Sequence, residues 1–175
     1  TIGDLNNSSG TMVFKGSVVL ENGKTLNNNS GKLVSNEGDI SFDNTYTSIT
    51  NNKGSIYAKK NLTLHNINNT NGILNSGGTL SITNSKLFDN TNGEIGAQSV
   101  GVNSKNLENE SGEIFSNGDV NLILNDSYVI KGNIQAVGKM DIEAISIINQ
   151  GQVEANGDIT FAATKGYITN GIYEL

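Results

Sequence analysis

A glycine returns along this chain at intervals of 21, 23, 18, 21, 19, 20, 19 and 20 residues, at Gly10, Gly31, Gly54, Gly72, Gly93, Gly112, Gly132, Gly151 and Gly171. Two residues after each one stands a large side chain: Met12, Leu33, Ile56, Leu74, Ile95, Ile114, Ile134, Val153 and Tyr173. A chain that is only 35% hydrophobic does not place nine such residues in step by accident. A fixed period near twenty residues means stacked units, none of which can bury its apolar side alone. Such a chain reads as a scaffold, not as a catalyst.

Further positions keep the same step. Five residues before the glycine stand Leu5, Leu26, Ile49, Ile67, Phe88 and Leu107, and three before it Asn7, Asn28, Asn51, Asn69, Asn90 and Asn109. Four residues after it the side chains are mostly small, from Ser35 and Ala58 to Ala155. Apolar pairs two residues apart follow, among them Val18/Leu20, Ile40/Phe42, Leu62/Leu64 and Met140/Ile142. Spacing of two is strand periodicity, and asparagine and glycine are poor helix formers. Each unit therefore reads as two or three short strands separated by turns. Asn61, at a glycine position, is expected to adopt the left-handed conformation that asparagine tolerates.

Strands of three to five residues hold only if each unit is one turn of a coil whose strands pair with those of the next. The expected fold is all-β, a parallel β-helix (β-solenoid) of about nine coils of roughly twenty residues. A β-sandwich would give strands of varied length and no register at this period. The asparagine ladder stops after Asn109, where the equivalent positions hold Val129, Ile148 and Ile168. One segment, 1–175, is expected, with regular repeats over 1–124 and variant coils over 125–175. The only sizeable insertion lies near Asp43 to Thr47.

Composition narrows the function. The chain has no proline, so every strand can be paired. It has no cysteine, which excludes thiolate metal sites, and no arginine, with a net charge of −6. Nucleic acid and anionic membrane surfaces both reward clustered cations, so neither is an expected partner. No run nears the roughly eighteen apolar residues of a membrane span, so no membrane insertion is expected.

The candidates for chemistry read as structure. Stacked asparagines satisfy one another's amides inside an apolar coil, so Asn7, Asn28, Asn51, Asn69, Asn90 and Asn109 form a structural ladder. His65 is a lone surface histidine, and Glu108, Glu110 and Glu113 form a solvated face. The Gly-Asp pairs at Gly38-Asp39, Gly118-Asp119 and Gly157-Asp158 lack the nonapeptide pattern of calcium-binding rolls and read as turns. No catalytic residue, metal site or cofactor is expected. Three residues after the glycine, on the outward side, Val13, Val34 and Tyr57 form an apolar stripe, with Phe115 further along, and these four are the candidate contact surface. Sequons occur at Asn7, Asn28, Asn61, Asn68, Asn109 and Asn125, as so asparagine-rich a composition would produce.

The unit L-x-N-x-x-G-x-I-x-A/S-x-G-x-L-x-L resembles the repeat of filamentous haemagglutinin and its relatives. The segments LENESGEIFSNGDVNLIL from Leu107 and LNNNSGKLVSNEGDISF from Leu26 carry it best. These relatives are two-partner secretion exoproteins, adhesins and contact-dependent growth inhibition effectors among them. The resemblance spans most of the chain, while the L-x-N half is missing from Ser127 onward. It implies a right-handed β-helix stalk, non-enzymatic, exported through an outer-membrane transporter partner and displayed or released at the bacterial surface. Its implied partner is a receptor on a host or neighbouring cell. The alternative is a carbohydrate-active β-helix, which binds or cleaves a polysaccharide. Uncapped solenoid ends expose pairing edges, so end-to-end self-association is also expected.

Overall fold

The computed structural model describes residues 3–171. Tyr173, and with it the body of the ninth unit, lies outside the described residues. Within them the chain is all β, a parallel solenoid of about 8 turns, without a helix among the described residues.

Each coil has three faces, numbered from the repeating glycine. On the first face Met12 pairs in register with Leu33, Leu33 with Ile56, and so on through Leu74, Ile95, Ile114, Ile134 and Val153. The second face stacks Val18, Ile40, Leu62, Leu80, Val100, Val120, Met140 and Ile159 in the same way. On the third face Leu5 pairs with Leu26, Leu26 with Ile49, and Ile49 with Ile67. Because a parallel ladder sets equivalent residues on top of one another, a twenty-residue sequence period becomes a ladder of like side chains. These inward rows form one continuous core, and most of their members are fully buried.

Two strands, Ile73–Asp89 and Glu94–Glu108, run through all three faces and bend at the corners between Ser76 and Thr79 and between Asn84 and Leu87. The insertion near Asp43 contributes to the core. Tyr46 is 2% exposed and meets the Phe42 ring edge-on, with centroids 5.1 Å apart. It fills the space that Gly23 leaves, where a Cβ would stand 2.2 Å from the ring.

The third face changes after Asn109. Tyr128 and Ile130 are fully buried and Val129 between them is half-buried, so Val129 does not take the inward place of Asn109. Val129 and Ile148 lie in the outward row, paired with each other. Ile168 stands in register with Ile147, in the inward row. Counted from Gly132 and Gly151, the inward set has slipped by one residue, which reverses the faces of a strand; Ile168, three before Gly171, is back at the inward count. The three strands Tyr128–Ile130, Ile147–Asn149 and Ile168–Asn170 form a sheet of their own.

Candidate functional site

The corner between third and first faces is built by Asn-x-x-Gly. The glycine N–H donates to the main-chain oxygen of the asparagine three residues earlier, at 2.9 Å from Gly31 to Asn28 and 3.0 Å from Gly54 to Asn51. The left-handed residue of this turn is the one before the glycine. Ser9, Ser30, Lys53, Asn71, Asn92 and Ser111 all have φ between 52° and 55°. The glycine has a different reason. A Cβ on Gly54 would stand 2.1 Å from the Asn28 carbonyl oxygen, and one on Gly72 2.1 Å from that of Asn51.

The turn aims its asparagine inward. Asn7 Nδ2 donates to Asn28 Oδ1 at 2.7 Å, Asn28 to Asn51 at 2.7 Å and Asn51 to Asn69 at 2.8 Å. Asn69 then donates to Asn90 and Asn90 to Asn109, each at 2.7 Å. Each amide from Asn28 to Asn90 therefore donates towards the next coil and accepts from the previous one. The last member, Asn109, donates instead to the carbonyls of Gly112 and Asn133. All six are buried, which also withdraws the sequons at Asn7, Asn28 and Asn109 from the surface, while Asn61 and Asn125 are exposed.

A second polar corner is not apparent from the glycine period. Asp39 accepts from the Ser17 hydroxyl at 3.3 Å and from the Asn61 N–H and Nδ2 at 2.9 and 3.0 Å. Asn61 Oδ1 in turn accepts the Thr79 N–H at 2.9 Å. Asn61 is absent from the positive-φ residues, so its place is explained by this bridging and not by left-handed backbone. The Asn61 N–H holds the Asp39 carboxyl below its ordinary range. The signal for this corner is the short polar residue seven or eight positions after each of the first four glycines: Ser17, Asp39, Asn61 and Thr79. Beside it runs the small-residue row, where buried Ser35, Ser76 and Ser116 donate to carbonyls of Gly16, Lys60 and Gln98 on the preceding coil.

The other acids stay apart. Glu110 and Glu113 are exposed and Glu108 half-buried, and Glu110 pairs with Lys131 at 3.4 Å. Asp89 is pushed up by burial, yet the Thr91 N–H and the side chains of Thr91, Thr70 and Asn68 outweigh this and hold it below the ordinary carboxylate range. His65 is half-buried at the end of its strand. No three His, Asp or Glu side chains gather to hold a metal ion among the described residues.

The outward row of the first face runs Val13, Val34, Tyr57, Asn75, Gly96, Phe115, Gln135 and Glu154. Val13 is 56% exposed, and Tyr57 and Phe115 are half-buried. Val34, in register between Val13 and Tyr57, is only 6% exposed. Asn75 and Gly96 separate Phe115 from the other three.

A long coil held by amide ladders, with short corners, defines a β-solenoid scaffold. The haemagglutinin repeat model matches residues 2–67, 65–114 and 107–163. The chain belongs to the haemagglutinin repeat family, which is structural and adhesive and typical of secreted or surface-exposed bacterial proteins. No curated protein and no solved structure matches it.

Proposed function

We propose that this chain is a shaft segment of a secreted bacterial surface exoprotein of the adhesin type, exported with an outer-membrane transporter, and that it presents cell-surface binding. The observation that carries this reading is the combination of haemagglutinin repeats over most of the chain with a rod of like-on-like ladders. Such a rod carries load along its axis and holds a binding surface away from the cell. The receptor-facing part of this segment is the first-face row at Val13 and Tyr57, with the buried Val34 between them. An apolar row that exposes Val13 and part of Tyr57 fits a protein receptor on a host or neighbouring cell.

The test is adhesion of cells to the immobilised chain, compared with the double variant Val13→Ser/Tyr57→Ser. Val34 is left in place because it is buried. Loss of adhesion with an unchanged circular dichroism spectrum supports the reading. Equal adhesion by both proteins moves the contact elsewhere. Absence of adhesion by the parent chain makes the segment a spacer.

A further inference from the structure

We propose that the third face between the sixth and seventh coils is a parting line, so that the rod consists of two cooperative units that open separately. Below this line the third-face strands are paired in register, as Leu87 with Asn106, Phe88 with Leu107 and Asp89 with Glu108. Above it Tyr128 pairs with Ile147 and Val129 with Ile148. Across it, no ladder joins the strand ending at Glu108 to Tyr128–Ile130 among the described residues, and the two belong to different sheets. Main-chain bonds resume only at the flanks, from Asn125 N–H to Ser104 O and from Asn133 N–H to Gly112 O.

Three further features fall on the same line. The amide ladder ends at Asn109, and Ile130 follows where an asparagine would have accepted. The Tyr128 hydroxyl is fully buried without a hydrogen-bond partner. The two ion pairs found among the described residues, Lys105–Asp126 at 3.9 Å and Lys131–Glu110 at 3.4 Å, both cross here. Exposed pairs of this kind hold weakly and are screened by salt. Residues 105–111 and 126–132 therefore face each other through side chains, where the other interfaces from the first coil to the eighth have paired strands on all three faces. The first and second faces run on through the line, so opening leaves the two units tethered.

Repeat proteins open in units set by the strength of their interfaces. Plain fraying would instead give protection that declines coil by coil towards residue 171. Hydrogen exchange of the 175-residue chain, followed by mass spectrometry through a urea series, separates the two. The expected result is a step: peptides within 133–163 share one exchange isotherm at lower urea, and peptides within 32–104 share another. A single isotherm for both, or a smooth gradient across 104–163, overturns the proposal. The double variant Lys105→Ala/Lys131→Ala tests the ion pairs without touching the core. Exchange in 133–163 should quicken about two- to tenfold, with 32–104 unchanged. An equal change in both regions, or none in 133–163, removes the ion pairs from the account.

Discussion

The main-chain oxygen of Asn28 lies 2.1 Å from the point where a Cβ on Gly54 would stand, one coil further along the rod. The Oδ1 of Asn51 lies 2.5 Å from that same point. Glycine and asparagine thus recur together for one reason: the corner brings successive coils so close that only a hydrogen fits beneath the ladder. Neither neighbouring atom can withdraw, since one is backbone and the other is hydrogen-bonded to Asn28.

Gly54→Ala should therefore destabilise the rod by about 2–3 kcal/mol, as overpacking does when the clash is with backbone. Lys53→Asn should move stability the other way by about 0.5 kcal/mol, because Lys53 holds φ 54° and asparagine tolerates that region better. Urea midpoints of the two variants should fall on opposite sides of the parent.

Position within the ladder should set the cost of breaking it. Asn69→Ala removes the ladder acceptor of the Asn51 amide, which keeps the Gly54 and Ile73 carbonyls, and the donor to Asn90 Oδ1, all at buried positions. Its cost should be about 3 kcal/mol, and that of Asn7→Ala about 1 kcal/mol, since Asn7 has a ladder partner on one side only. Equal losses in thermal melts would show that position in the ladder does not set the cost.

Much of this architecture is legible from spacing alone. In a parallel stack a residue's period states its neighbour, so the rows from Met12 to Val153 and from Asn7 to Asn109 follow directly from the order of residues. What spacing conveys less well is conformation and depth. The glycine step shows where the corner is, yet the left-handed residue precedes it, and Lys53 gives no compositional hint of this. Tyr46 sits in an insertion, where the repeat offers no register, so nothing in the period signals its burial. The slip at Tyr128 is equally silent, because the glycine step continues unchanged while the inward set moves by one. Val34 alternates outward as expected, but its depth depends on which residues flank it on other coils.

Acid should weaken the fold. Asp89 is held below its ordinary pKa in the folded chain, so its contribution is present above the unfolded carboxylate value and lost as pH falls through the folded one. Asp39 and Asp43 shift in the same direction. Melting temperature should be flat from pH 7 to 5 and fall below about pH 4. Asp89→Asn should melt below the parent at pH 7 and converge with it near pH 3; a constant difference at all pH values would contradict the assignment.

Removing the Tyr128 hydroxyl should help the protein. It is buried without a partner, and burial, with the charge of Glu108, pushes its phenol up from the ordinary value, so it stays neutral and unpaired. Tyr128→Phe keeps the ring and deletes the orphan, which should stabilise by about 1 kcal/mol. A loss in urea midpoint would mean that the hydroxyl finds a partner in solution.

The contact row separates structure from surface most sharply at its middle. Val34→Ser removes a buried side chain and should cost about 1–2 kcal/mol, although the residue belongs to an outward row. Phe115→Ser, half-buried and next to Gly96, should cost less than about 1 kcal/mol. If the row binds a receptor through Val13 and Tyr57, Phe115→Ser should leave adhesion intact, because Asn75 and Gly96 lie between. Val34→Ser should reduce adhesion only under conditions where it also lowers the folded fraction. Loss of adhesion by Phe115→Ser at full stability would instead place the contact beyond the Gly96 gap, and the receptor would then meet the rod across its sixth coil.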